Sequence, residues 1–161
     1  MNCHLCNLTT MHIYRLQDII NKTFFSKRSI PRGLDEQEIQ IFKNEVNLEM
    51  SYELPDDYLF LLSQINCPCF DGFYIYGKIN SDILQNFPRL KTCDFLFMNK
   101  EMIDDDFTED YIIFGESAFH YCTFSKIKNC YMIIDMGTSE IMDTFVSFND
   151  MLEAFLTDAV K

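Results

Sequence analysis

The chain has 161 residues and a formal net charge of -12, with 25 acidic residues against 13 Lys and Arg. A field of that sign repels nucleic acid and anionic membrane and attracts basic partners, so nucleic-acid binding is set aside. Hydrophobic residues make up 48% of the chain, with 16 Phe, which is enough for one core without disulfides or metal.

The charge is segregated. Residues 1–50 hold six basic and six acidic residues and sum to zero, so 51–161, with seven basic and nineteen acidic, carry 7 − 19 = -12. The seven cysteines are Cys3, Cys6, Cys67, Cys69, Cys93, Cys122 and Cys130. An odd count, with no apolar h-region in 1–10, argues against a secreted disulfide framework and for a reducing cytoplasm. No apolar run nears the roughly 18 residues that span a membrane.

In chain order, 1–10 reads as a poorly ordered lead-in, and Met11 is an alternative start. Ile13, Leu16, Ile20 and Phe24 fall at helical spacing and predict a helix over about 11–24. Lys22, Lys27, Arg28 and Arg32 cluster around a loop marked by Pro31 and Gly33. Asp35 with Glu38 three residues on is a helix-start signature, followed by a buried stripe of Ile39, Phe42 and Val46. Leu54-Pro55-Asp56-Asp57 opens a third helix, with Pro55 in its first turn and the two acids on the positive end of its dipole. Tyr58, Leu61, Leu62 and Ile65 share one face, and Leu59 and Phe60 widen it.

Asn66 to Gly72 reads as a turn, and Phe73 to Tyr76 as a short strand ended by Gly77. Residues 79–91 are ambiguous. A helix over about 92–103 turns Phe95, Leu96, Met102 and Ile103 inward. Asp104, Asp105, Asp106, Phe107, Thr108, Glu109 and Asp110 then read as an exposed loop, because like charges repel within a regular element. Strands follow at about 111–114, 119–125, 130–135 and 140–145, with turns at Lys128-Asn129 and Gly137-Thr138. Ser147 caps a closing amphipathic helix with Phe148, Met151, Leu152, Phe155 and Leu156 on its inner face. Helices, then neighbouring strands, then a helix predict a single α+β domain, a mostly antiparallel twisted sheet with helices packed on it. Leu61, Leu62, Phe114, Ile133, Phe148, Leu152 and Phe155 form the predicted core.

Several motifs line up in order: Leu54-Pro55 with Tyr58 and Leu61-Leu62, then Asn66, Ile75-Tyr76-Gly77, Asn99, Ile113-Phe114-Gly115-Glu116-Ser117, the strand meander, and Phe148 through Leu156. This pattern resembles the SUKH superfamily over roughly residues 34–157. Three features depart from it: Cys67 where Gly usually follows Asn66, no Trp, and no glycines in Ala118-Phe119-His120. The resemblance implies an α+β domain that binds protein. Bacterial members neutralise a cognate toxin, and eukaryotic members are regulatory scaffolds. Immunity ranks first here because the chain reads as one compact domain without long flanks.

No catalytic motif stands out. Cys3-x-x-Cys6 with Cys67-Pro-Cys69 offers four thiolates, but one intervening residue in the second pair is poor zinc spacing, so no metal or cofactor is expected. His120 and Cys122 lie two apart on a strand without a third orienting group, so Cys122 reads as packing. Clustered, wet carboxylates do not form a glycosidase pair. Glu116 stands apart, at the end of an apolar strand, where its expected role is to accept loop N–H groups. The expected partner-binding residues are Asp104, Asp105, Asp106, Phe107, Glu109, Asp110 and Glu116, with Phe107 an aromatic anchor among charges or folded back onto the core. The expected partner is a basic protein, a nuclease-type toxin domain, with a regulatory-scaffold role as the alternative. Oligomeric state is not readable from the sequence.

Overall fold

The computed structural model describes residues 32–70, 72–86, 88–105 and 107–159. The predicted helix over 11–24, the cluster Lys22, Lys27 and Arg28, and Cys3 and Cys6 lie outside them.

Helix α1 spans Glu36–Met50. Asp35 accepts from the Glu38 N–H (2.8 Å) and Glu38 from the Asp35 N–H (2.9 Å), a complete capping box. Phe42 and Val46 are buried and Ile39 packs partly against them. Helix α2 spans Asp56–Gln64, with Pro55 at the N-cap and not inside the first turn. Tyr58, Leu59, Leu61 and Leu62 are buried, but Phe60 is 42% exposed and does not widen the inner face as expected. Tyr58 anchors the core. Its hydroxyl donates to the Tyr76 carbonyl (2.6 Å), and its ring meets Phe95, Phe114 and Phe148 at 5.7, 4.9 and 5.3 Å. Burying the hydroxyl with a partner avoids the cost of an unpaired polar group.

The expected turn at 66–72 contains strand β1, Cys69–Phe70, which pairs with β2, Phe73–Ile75. Two asparagines then do the work of strands. The Asn66 amide donates to the Lys78 carbonyl (2.6 Å) and accepts from the Lys78 N–H (3.1 Å). The Asn99 amide donates to the Ile113 carbonyl and accepts from the Ile113 N–H, both at 2.8 Å. Gly77 is required beside Asn66, because a Cβ there would lie 2.3 Å from the Asn66 Oδ1. Cys67 has φ +53°, the left-handed region that glycine occupies without steric cost. The cysteine therefore stands where a glycine would be unstrained.

The ambiguous stretch forms a short helix α3, Ser81–Asn86, and a 3-10 turn, Pro88–Cys93. Helix α4, Phe95–Asp105, starts later than expected because Asp94 caps it, accepting from the Phe97 N–H (2.9 Å). The remaining strands are β3 (Tyr111–Glu116), β4 (His120–Ser125), β5 (Cys130–Asp135) and β6 (Ile141–Phe145). The sheet order is β1-β2-β3-β4-β5-β6, antiparallel throughout. Helix α5, Phe148–Ala159, is capped by Ser147, whose Oγ accepts from the Asp150 N–H (3.1 Å). It lies against β4, β5, β6 and α2. All seven predicted core residues are buried. The architecture is the expected α+β fold, an antiparallel sheet with helices packed on it. Among the described residues no helix is long and apolar enough to cross a membrane.

Candidate interaction surface

The acidic run does not begin as a loop. Asp104 and Asp105 occupy the last turn of α4, and Asp106 lies outside the described residues. Acids at a helix C-terminus face the negative end of the macrodipole, each costing about 0.3–1 kcal/mol when exposed. Helix α4 has no basic residue in its last turn to offset them. The helix continues here because Met102 is buried and the Phe107 N–H donates back to the Met102 carbonyl (2.9 Å), a six-residue closure typical of helix ends.

Phe107 itself folds back. It is half-buried, with its ring 5.3 Å from Tyr111 and 5.2 Å edge-on to Tyr121. It closes the helix end against the core, so it is not a free anchor. Glu109 is exposed in the following turn. Asp110 sits beside it, and its carbonyl accepts from the Lys126 N–H (2.7 Å), joining this turn to the β4–β5 turn.

Glu116 lies at the far end of β3, about 16 Å from Tyr111 at ~3.3 Å per residue. The expected binding residues thus divide between the two ends of one strand. Glu116 also does not accept the loop N–H groups. Those of Phe119 and His120 go to the Ser117 Oγ (3.3 and 3.1 Å). Serine follows the strand directly and its Oγ accepts from the N–H groups two and three residues ahead, as turn-forming serines do. Glu116 instead neighbours the buried Tyr76 hydroxyl, on which its carboxylate acts both through its charge and as a hydrogen-bond acceptor. Burial, reinforced by the Glu116 charge, pushes the Tyr76 phenol far up, so it stays neutral.

Three ion pairs between described residues gather on α1. Arg32 pairs with Glu38 (2.6 Å), Lys78 with Glu45, and Lys100 with Glu49. The sheet's other flank has a different balance. From Asn129 to Thr157 the chain has Asp135, Glu140, Asp143, Asp150 and Glu153 and no Lys, Arg or His. The starts of α2 and α5 add to this. The Asp57 carboxyl is raised by burial and then by the charges of Asp56 and Asp150 beside it. Carboxylates held close to one another form a concentrated negative field.

The buried thiols of Cys67, Cys93 and Cys122 are not poised for chemistry. Cys122 is fully buried, and burial pushes its pKa well up. His120, two residues away, is partly exposed. Burial also raises Cys67 and pushes Cys93 up to about 11. Neutral thiols are poor nucleophiles and poor metal ligands. Among the described residues no cluster of His, Cys, Asp or Glu is arranged to hold a metal ion.

One feature of the surface was not legible beforehand. Strand β6 reads as apolar, yet Ile141 and Met142 are 40% and 56% exposed, and Val146 just beyond is 94% exposed. The only signal was its place as the last strand before the closing helix.

No family model matches this chain, and no curated protein matches it.

Proposed function

We propose that this chain is a cytoplasmic, non-enzymatic protein-binding domain that neutralises a basic protein, in the manner of the immunity domains of the SUKH superfamily it resembles. The observation that carries this reading is the segregation of charge. Residues 101–161 contain thirteen acidic and three basic residues, so 3 − 13 = -10 of the total of -12 lies there. That segment builds the end of α4, the sheet from β3 onward, and α5.

The placement of Asp104 and Asp105 adds support. A helix end that carries acids against its own dipole gives up local stability. Departures from local rules of this kind are expected where a surface serves binding. An acidic surface raises the encounter rate with a positive partner and penalises like-charged competitors. The nuclease domains of many toxins are basic, which fits this field.

The test is co-expression. The gene adjacent to this one is expressed alone and together with this chain in a sensitive host. Rescue of growth by the chain, with recovery of a one-to-one complex, is the expected result. An adjacent product that is not toxic, or that stays toxic without forming a complex, would favour the regulatory-scaffold role.

A further inference from the structure

We propose that the outer edge of β6 takes up an extended basic segment of a partner protein as an added strand. The sheet ends on β6, whose only neighbour among the described residues is β5. Ile141, Met142, Asp143 and Thr144 are all exposed. An edge strand presents unpaired N–H and C=O groups, which form a template for a further strand.

The opposite side of the sheet is treated differently. Strand β2 has three residues and pairs with β3 only at Gly115 and Glu116. Beyond that point, the Asn99 amide satisfies both backbone groups of Ile113. The fold thus uses a buried side chain to close one open stretch of edge, whereas among the described residues β6 has only an exposed, local cover, the Asp143 carboxylate accepting from the Thr144 N–H (2.8 Å), which an incoming strand can displace.

Charge selects the occupant. The stretch from Asn129 to Thr157, which holds β5, β6 and most of α5, bears only acidic charge, with Asp143 on β6 and Glu140 directly before it. A second copy of this chain would set Asp143 against an equally acidic edge, and like charges across a strand pair are destabilising. Met142 adds a second restraint. Ile133 pairs with Asp143 and Ile134 with Ile141, so Met142 is the extra residue of a bulge. Bulges and central charges are common guards against indiscriminate edge pairing. A segment alternating Lys or Arg with apolar residues meets both conditions. Its cations face Glu140 and Asp143, and its apolar groups cover Ile141, Met142 and Val146. Main-chain bonds supply affinity and side chains supply choice, as in other strand-addition complexes.

This inference rests on the reading that the partner is basic. The probe is a blocked hexapeptide of three Lys-Val repeats, titrated into the full chain and followed by amide exchange and NMR shifts. Two further versions are N-methylated, each on one alternate set of backbone amides. In a paired strand only one set points at the protein. Methylation of that set should weaken binding about tenfold or more, and methylation of the other set should leave it unchanged. The amides of 141–145 should gain protection. Asp143→Lys should weaken the Lys-Val peptide and admit a Glu-Val hexapeptide. Equal behaviour of the two methylated peptides, protection confined to other strands, or no binding of the Lys-Val peptide would each overturn strand addition. The intact product of the adjacent gene is titrated in parallel. Its binding without protection of β6 defeats only this inference, and its failure to bind defeats the basic-partner reading as well.

Discussion

Asn99 is the most revealing single position to change. It is fully buried, and its side chain substitutes for a strand by pairing with both backbone groups of Ile113 at 2.8 Å. Its third bond, to the Phe95 carbonyl (2.9 Å), is less critical, because that carbonyl also lies within reach of the helical N–H one turn on. Asn99→Ala therefore orphans two buried backbone groups. At about 1–3 kcal/mol each, the expected loss is about 2–6 kcal/mol. Asn99→Asp keeps the acceptor for the Ile113 N–H but sets an oxygen against the Ile113 carbonyl and buries a carboxylate. Burial raises the folded-state pKa of that carboxylate, so the deficit should shrink as pH falls and the acid becomes able to donate. The assay is urea unfolding of the three proteins at pH 7 and pH 5, with exchange measured at the Ile113 amide. A loss below about 0.5 kcal/mol for Asn99→Ala, typical of surface changes, would refute the strand-substitute role.

Three further outcomes follow from the packing and the charges. Leu152, 5% exposed on the inner face of α5, should cost about 2–5 kcal/mol when changed to Ala, and a change near zero by urea unfolding would place that face outside the core. The Glu38 carboxyl, bonded by Arg32 and by the Asp35 N–H, is held down at about 2 from an ordinary 4.5. A depressed folded pKa gives stability that is full above about 4.5 and is lost as pH falls toward about 2. The melting curve of Glu38→Gln should therefore converge on wild type across that window, and a constant gap between the two would contradict this. Purified protein should hold no stoichiometric zinc by metal analysis, and chelator should leave its melting temperature unchanged.

Local signals carried well from sequence to structure. Asp35 with Glu38, and Ser147 with Asp150, are contacts three residues apart, so spacing alone reveals them. The inner face of α5 repeats at helical period and is buried as read. What failed depends on packing that spacing alone does not reveal. Phe60 lies in an apolar run, and periodicity does not say which of Leu59 and Phe60 points outward. Asp104 and Asp105 read as loop because charge clusters usually are, but packing at Met102 and closure by Phe107 extend the helix beneath them. Asn66 and Asn99 were visible as marks of a resemblance. Their task, pairing with the backbones of Lys78 and Ile113, appears only when the chain folds. The sign of the surface was legible in the composition, whereas the placement of Glu116 at the far end of β3 and the open edge of β6 were not.

The central claim is that the acids at the end of α4 serve association at some cost to the fold. The direct measurement pairs two numbers on one variant, Asp104→Asn with Asp105→Asn and Asp106→Asn: its unfolding free energy, and its association rate with the adjacent gene product at two ionic strengths. The prediction is a variant more stable than wild type, by about 0.3–1 kcal/mol for each of Asp104 and Asp105, which the helix holds in its last turn. It should also associate more slowly and depend less on salt. A variant that associates as fast as wild type, with the same salt dependence, would contradict the claim and leave these acids as a solvated face.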